Sequence, residues 1–310
     1  MLAAVVCAAL GAGLPTTVSH AQMFSLMTSS ETESLGNGLY AFRHGPYRNI
    51  FLIGEEGVIV TDPLNVKAAA ALREEIRKLT DKPVKYVAYS HSHWDHAIGG
   101  AIFKQDGATF VAQEKCRDNI RETPHPDLVA PDVVFKDRHR LDVGKASLEL
   151  FYFGPSHSNC LAVMLARPAN VMFVVDIANP STGWFKEYNP TAPDTYLHSL
   201  TTVLAAVERL AAAEGVKSFV GGHISLGKGA DGRPFLRPAM GSIESVGERR
   251  QFWETVIAAV KAEMARGTVG EEVSGKLAGS DFEAKIADFD RGEMDMLYRV
   301  IASYLQAGRP

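Results

Sequence analysis

The segment Ser90-His91-Ser92-His93-Trp94-Asp95-His96 carries three histidines and one aspartate within seven residues. It follows directly on residues 84–89, a mostly apolar segment that predicts a buried strand. Residues two apart on an extended segment point to the same side, so His91 and His93 can present their imidazoles to one metal ion. The pattern therefore predicts a metal site at the end of a strand.

Asp95 and His96 lie at the turn into a helix predicted over 97–104, where they can face a neighbouring point. Neutral imidazole and carboxylate are ligands for zinc, iron or manganese. The segment contains no cysteine, which argues against a closed structural zinc site. A polar loop without a metal is the alternative interpretation.

Upstream of this segment the chain predicts short strands and one helix. Asn65 can cap a helix that runs to Leu79, because apolar residues recur there near helical spacing. The strand candidates are the apolar runs 38–42, 49–53 and 57–61, with a hairpin turn at 44–47.

The second half of the chain also predicts short strands and a helix, and it ends in further helices. It predicts strands at 147–153, 161–166, 171–175 and 217–220, a helix at 193–213, and further helices beyond residue 242. Strands with interspersed helices in two halves predict an α/β fold with two sheets sandwiched between helices. Since no proline- or serine-rich linker separates the halves, we expect one domain over 22–240 with a helical C-terminal extension over 241–310.

The composition is that of an ordinary globular protein. The chain has 310 residues, of which 46% are hydrophobic, and this excludes a disordered, collagenous or coiled-coil protein. Its 32 Lys and Arg are balanced by 36 Asp and Glu, and no basic run is present. Neither nucleic acid nor an anionic membrane is therefore expected as a partner.

The first 21 residues are uncharged and resemble an export signal. An apolar run over Leu2–Leu14 has about the length of a signal core and is too short to span a bilayer. Ser19-His20-Ala21 places small residues at the positions that signal peptidase reads. We expect cleavage before Gln22 and a periplasmic or secreted protein that is free of the membrane after cleavage. A translation start at Met23 is the alternative.

Two cysteines, Cys116 and Cys160, would remain in the mature chain. Two cysteines do not make a disulfide framework, and the sequence leaves open whether they pair.

The histidine segment resembles the signature of the metallo-β-lactamase-fold hydrolases, and downstream features follow in that family's order. His157 follows a predicted strand, Asp176 ends the apolar run 171–175, and His223 follows two glycines. Upstream, Asp62 resembles the strand-end aspartate that orients a ligand histidine in this family. The resemblance covers about residues 36 to 225. It is specific for fold and metal site and leaves the substrate open.

This resemblance implies a four-layer αββα sandwich of two mixed β-sheets flanked by helices. It implies two metal ions, expected to be zinc, with iron or manganese as alternatives. One ion would be held by His91, His93 and His157 and the other by Asp95, His96 and His223, with Asp176 bridging them. Two such ions lower the pKa of a bridging water to near neutrality and so supply hydroxide. Asp95 could orient that hydroxide and pass its proton to the leaving group.

The resulting hypothesis is an exported metal-dependent hydrolase that cleaves an ester, lactone, thioester or amide bond of a small molecule. The alternatives are a β-lactamase, an enzyme similar to mononuclear iron persulfide dioxygenases, and a redox-inert metal-binding protein. The β-lactamases of this fold usually lack an aspartate at the position of Asp176. The sequence does not predict the oligomeric state.

Two loops, 44–49 and 179–193, could shape a substrate pocket. The second loop holds Trp184, Phe185 and Tyr188, which predict either an apolar pocket wall or a loop pinned by its own aromatics. Arg48, Lys186 and Tyr188 are candidate substrate contacts. The remaining histidines are assigned no role, namely His20, His125, His139 and His198.

Overall fold

The computed structural model describes residues 27–180, 196–228, 234–286 and 289–308. The predicted export signal at 1–21 lies outside these ranges. So do Trp184, Phe185, Lys186 and Tyr188 of the predicted pocket wall.

The first sheet has seven strands that lie side by side in chain order. The pairings among the first four strands are antiparallel and the later ones are parallel, so the sheet is mixed. The strands are β1 (Ser30–Gly36), β2 (Leu39–His44), β3 (Tyr47–Ile53), β4 (Val58–Thr61), β5 (Val84–Ala88), β6 (Thr109–Gln113) and β7 (Val133–Phe135).

The second sheet has six strands and is also mixed. Its strands are β8 (Arg138–Val143), β9 (Ala146–Tyr152), β10 (Ala162–Arg167), β11 (Val171–Val174), β12 (Ser218–Gly221) and β15 (Met240–Ser242), in the order β15-β12-β11-β10-β9-β8. Only β11 and β12 pair in parallel among these strands. A separate two-stranded ribbon joins β13 (Leu226–Lys228) to β14 (Pro234–Leu236).

Eight α-helices lie in the described ranges. They are α1 (Val66–Leu79), α2 (Trp94–Ala97), α3 (Ala101–Gln105), α4 (Glu114–Glu122), α5 (Leu197–Glu214), α6 (Glu244–Ala265), α7 (Val273–Leu277) and α8 (Arg291–Ala307). None of them combines the length and the apolar character that a membrane span requires.

Three buried clusters define the four layers. The alternation of strand side chains is visible in β3, where Phe51 packs toward the first group of helices while Ile50 and Leu52 pack between the sheets. A third cluster lies between the second sheet and the helices α5 to α8, with Trp253 and Leu297 at 0% exposure. The predicted αββα sandwich of two mixed sheets with a C-terminal helical region is therefore confirmed.

Two details of the first half depart from prediction or resolve an open question. The helix predicted over 97–104 is broken, because Gly99 has φ +92° and a Cβ there would lie 2.4 Å from the backbone carbon of Asn65. Cys116 and Cys160 form a disulfide, which ties α4 to the loop between β9 and β10.

Most of the other predicted elements are present with small shifts at their ends. Asn65 caps α1 as predicted, with its side chain accepting a hydrogen bond from the Ala68 amide at 2.9 Å. The helix predicted over 193–213 begins at Leu197 in the described residues and ends at Glu214.

Candidate metal centre

The candidate residues come together at the carboxyl ends of strands. The parallel pairs β4/β5 and β11/β12 each place two strand ends at the same edge of a sheet. Asp62 follows β4, His91 lies after β5, Asp176 after β11 and His223 after β12. His157 lies in the loop between β9 and β10. Residues that are far apart in sequence therefore meet at one point.

The first cluster contains His91, His93, His157 and Asp176, whose candidate ligand atoms all lie within 4.8 Å of one another. The Nε2 atom of His157 is 2.9 Å from Nδ1 of His93. The Oδ2 atom of Asp176 is 3.4 Å from Nε2 of His91 and 3.4 Å from Nε2 of His157. These four side chains could hold one metal ion.

The second cluster contains Asp95, His96 and His223, again with ligand atoms within 4.8 Å of one another. The two imidazole Nε2 atoms are 3.1 Å apart, and Oδ2 of Asp95 lies 3.8 Å from His96 and 3.7 Å from His223. Asp176 reaches this cluster as well, with Oδ2 at 3.3 Å from His96 Nε2 and Oδ1 at 3.0 Å from His223 Nε2. One carboxylate thus lies between the two clusters.

The donor set fits a metal. His91 is fully buried, and its Nε2 atom has no hydrogen-bond partner among the described residues. Imidazole nitrogens and carboxylate oxygens in this number suit zinc, iron or manganese. The Asp95 and His223 side chains are 37% and 31% exposed, so the centre opens to solvent on that side.

The sequence comparison matches the Metallo-beta-lactamase superfamily over residues 45–223, which is more than half of the chain. The chain belongs to this superfamily. Membership supports a metal-dependent enzyme.

Solved structures share the fold of this superfamily member at low sequence identity. A metallo-beta-lactamase from Pontibacter korlensis is 18% identical with a TM-score of 0.60, and the match covers 73% of this chain and 99% of that one. The DIM-1 metallo-beta-lactamase exposed to ceftazidime is 13% identical with a TM-score of 0.59, covering 74% of this chain and 98% of that one.

The name of one relative describes an activity other than that of a metallo-beta-lactamase. The 2,4-dinitroanisole O-demethylase subunit alpha of Nocardioides sp. (strain JS1661) is 30% identical over 134 residues. The match covers 42% of this chain and spans 40% of the length of that subunit. The name of this relative describes a different reaction from the names of the two solved structures.

Electrostatics favour the metal-binding form of two residues of the centre, His91 and Asp176. Burial lowers the pKa of His91 well below its ordinary value, and the neighbouring His93 and His96 lower it further, so the imidazole is neutral. Burial alone would raise the pKa of Asp176, but its electrostatic interactions and hydrogen bonds with His96 and His223 outweigh burial and hold that pKa well below the usual range. A carboxylate and a neutral imidazole are thus ready to accept a cation.

Asp62 is placed to orient His96. It is 0% exposed, and its Oδ1 accepts a hydrogen bond from the Ser90 amide at 2.7 Å while Oδ2 lies 3.4 Å from His96 Nδ1. Burial lowers the pKa of His96, but Asp176 and Asp62 outweigh it and raise that pKa well above its ordinary value. Because a protonated imidazole cannot bind a metal ion, any proton on His96 must leave when the second cluster binds its ion.

Arg48 holds the loop of His223. Its side chain is 3% exposed and donates to the carbonyl oxygen of His223 at 2.9 Å, while its backbone amide donates to Gly222 at 2.7 Å. The interpretation of Arg48 as a substrate contact is therefore wrong, because its guanidinium is buried against backbone carbonyls. Arg48, at the beginning of β3, and His223 are 175 residues apart, and no local sequence pattern in either segment predicts their contact.

Tyr47 contacts the second cluster, although no pattern in the sequence predicts this. Its ring packs edge-on against the His223 ring at 5.2 Å and the His96 ring at 6.3 Å between centroids. The described histidines without an assigned role belong to neither cluster, namely His125, His139 and His198.

Proposed function

We propose that this protein is an exported metal-dependent hydrolase that cleaves an ester, lactone, thioester or amide bond of a small molecule. The observation that carries the proposal is the position of Asp176, whose carboxylate lies within 3.4 Å of histidine nitrogens from both clusters. A shared carboxylate between two ligand sets is the arrangement expected of a dinuclear site.

The seven side chains divide between two ions. His91, His93 and His157 would hold one ion and Asp95, His96 and His223 the other, with Asp176 shared. Two zinc ions, or iron or manganese, would supply a hydroxide at neutral pH and polarise the substrate carbonyl. His91 and His96 are buried and exclude solvent from the closed side of the centre.

Asp95 is the candidate catalytic residue. It lies on the open side of the centre, where substrate can approach, and its Oδ2 is within 3.8 Å of both His96 and His223. A carboxylate in this position can orient the attacking water, accept its proton and deliver that proton to the leaving group.

A substrate panel on metal-loaded protein tests the reaction class. The panel contains chromogenic ester, lactone, thioester, amide and lactam substrates, because the solved structural neighbours are metallo-beta-lactamases. A nitroaromatic methyl ether is added because of the name of the demethylase subunit. About two zinc ions per chain with turnover of a panel member would support hydrolysis. One iron per chain with oxygen uptake would instead favour the dioxygenase alternative.

Replacement of one ligand tests the site itself. We expect His91→Ala to abolish turnover and lower metal content while the chain stays folded, because it removes one of the four candidate ligands of the first cluster. His139→Ala is the matched control, since His139 lies on β8 outside both clusters. Full activity of the His91→Ala protein would reject the assignment.

Export is proposed from the apolar leader and the cysteines. Disulfides persist in oxidising compartments, and Cys116 and Cys160 are joined. Expressed with its own leader in a bacterium with an envelope, the mature protein should begin at or near Gln22, as N-terminal sequencing would show. Cytosolic protein that keeps Met1 would overturn this proposal.

A further inference from the structure

Helix α4 contacts the loop that carries His91 and His93 and the loop that carries His157, although none of its own residues belongs to either cluster. Cys116 of this helix forms the disulfide with Cys160, which lies three residues after His157. Both cysteines are 0% exposed. The helix is therefore covalently joined to the end of the loop that presents His157.

Asn119 lies on the same face of α4, three residues after Cys116. Its Nδ2 atom donates to Ser92 Oγ at 3.0 Å and to Asn159 Oδ1 at 2.7 Å, and Asn159 Nδ2 donates back to Asn119 Oδ1 at 3.1 Å. Ser92 stands between His91 and His93 in the sequence. A single side chain thus contacts both ligand-bearing segments.

The far end of the His157 loop has its own anchor. The Ser199 hydroxyl of α5 donates to the Pro155 carbonyl at 2.6 Å, and the Tyr196 amide donates to the Ser156 carbonyl at 2.7 Å. His157 lies between this anchor and the contacts made by α4. Its position relative to His93 therefore depends on both ends of the loop being held.

We propose that five residues act together as a positioning device for the first metal ion. Ser92, Cys116, Asn119, Asn159 and Cys160, here named the α4 clasp, hold the His157 loop at a fixed separation from the His91–His93 segment. A site whose ligands are held in place beforehand binds its ligand more tightly than one that must first be ordered. The α4 clasp is thus expected to slow release of the ion. The inference rests on the proposed function insofar as a metal occupies the first cluster.

Metal release tests the α4 clasp without reference to substrate. Full-length, zinc-loaded Cys116→Ser/Cys160→Ser protein is mixed with a chromogenic chelator. We expect one of two zinc ions to leave roughly 10-fold faster or more than from wild type, as for other residues that support metal ligands. The visible absorption of the cobalt-substituted protein should change as well, because it reports the ligand geometry of both ions, including the one at His91, His93 and His157.

Two further variants separate positioning from general stability. Asn119→Ala leaves the disulfide intact and should also speed zinc release, which keeps the test valid if the double variant does not fold. Tyr298→Phe removes a buried hydrogen bond to Glu283 among the C-terminal helices and should leave zinc release unchanged. The proposal would be overturned if both clasp variants, when folded, released zinc at the wild-type rate. It would also be overturned if Tyr298→Phe accelerated zinc release as much as the clasp variants do.

His91→Ala distinguishes failure of the α4 clasp from failure of the proposed function. If this substitution lowers the metal content while the clasp variants release zinc at the wild-type rate, only the α4 clasp is wrong. If it leaves metal content unchanged, the first cluster binds no metal and the proposed function fails with it.

Discussion

Asp176 and Asp62 share an unusual backbone as well as a place in the candidate centre. Their φ angles are 58° and 33°, in the left-handed region that residues other than glycine seldom adopt. Such residues cost of order 1–3 kcal/mol each and persist where the surrounding structure over-determines them. Asp62 follows β4 directly and Asp176 lies two residues after the end of β11. At both places the left-handed turn lets the chain leave the sheet with the carboxylate close to a histidine nitrogen.

Replacement of Asp176 separates a dinuclear centre from a mononuclear one. We expect Asp176→Ala to retain the ion at His91, His93 and His157 but to lose much of the second, because no carboxylate then lies between the two charges. Hydrolysis should fall on the order of 10²-fold or more, comparable to the loss of one group that stabilises developing charge. Metal quantification beside a melting curve measures both effects.

The competing explanation for Asp176 is that it only ends its strand. In that case stability would fall while metal content per folded chain stayed at two ions. Asp142→Ala serves as the control, since Asp142 is 54% exposed and pairs with Arg140 on β8. Unchanged two-metal occupancy in the Asp176 variant would contradict the shared-carboxylate role.

Individual residues differ in how far the sequence predicts them. His91 and His93 are predictable because their spacing is local and repeats the period of a strand. Arg48 and Asn119 are not, because each acts through partners that only the tertiary fold supplies. Asn119, for example, contacts Ser92 and Asn159, which lie 27 and 40 residues away.

The same limit applies to secondary-structure elements. Helix α1 was predicted because it has both a capping residue and an apolar stripe. Strand β1 was not, because it lies at an edge of the first sheet and is largely exposed, which leaves it without alternating burial. An element with a capping residue and an apolar stripe can be predicted from sequence, whereas an exposed edge strand depends on its neighbour.

One buried carboxylate ties the C-terminal helices together. Glu283 is 6% exposed and accepts hydrogen bonds from Tyr298 Oη at 2.7 Å and Arg291 at 2.6 Å. Burial alone would raise the pKa of Glu283, but these hydrogen bonds outweigh it and lower the pKa below its ordinary value of 4.5. The folded state therefore favours the ionised form of Glu283.

This charge makes a prediction about stability and pH. Glu283→Gln should lower the free energy of unfolding by about 1–3 kcal/mol at neutral pH, as for a lost hydrogen bond to a charged group. Because the pKa is lowered on folding, this stabilisation is present above pH 4.5 and is lost as the pH falls through the folded value. Urea unfolding across this pH range should show that the difference in free energy of unfolding between wild type and the Glu283→Gln protein becomes smaller in acid. A difference that stays constant would show that ionisation of Glu283 contributes nothing.

At the scale of the whole molecule, each cluster draws on both sheets. The first combines His91 and His93 after β5 with His157 and Asp176 from the second half, and the second cluster adds His223 to Asp95 and His96. The general αββα architecture was predictable because alternating burial and helical stripes follow from the sequence. The junction of the two sheets at one point follows from packing over long range and was predicted only through family resemblance.

Chelation tests whether metal stabilises this junction. An ion that binds the folded chain and not the unfolded one adds about 3–4 kcal/mol when it is present at 100 to 1,000 times its dissociation constant. Removal of metal should then lower the melting temperature by roughly 5–15 °C, as measured by calorimetry. His91→Ala protein is the control, and metal removal should lower its melting temperature by less. An unchanged melting temperature after complete removal of metal would show that metal does not stabilise the junction of the two sheets.

The division of ligands between the two halves also bears on when the protein acquires its metal. Neither half alone carries the complete ligand set of either cluster, so a chain still passing through a translocation channel in an unfolded state has no finished site to fill. Under the proposed export, loading must follow arrival. The ions available in the destination compartment, rather than those of the cytosol, then decide which metal the protein carries.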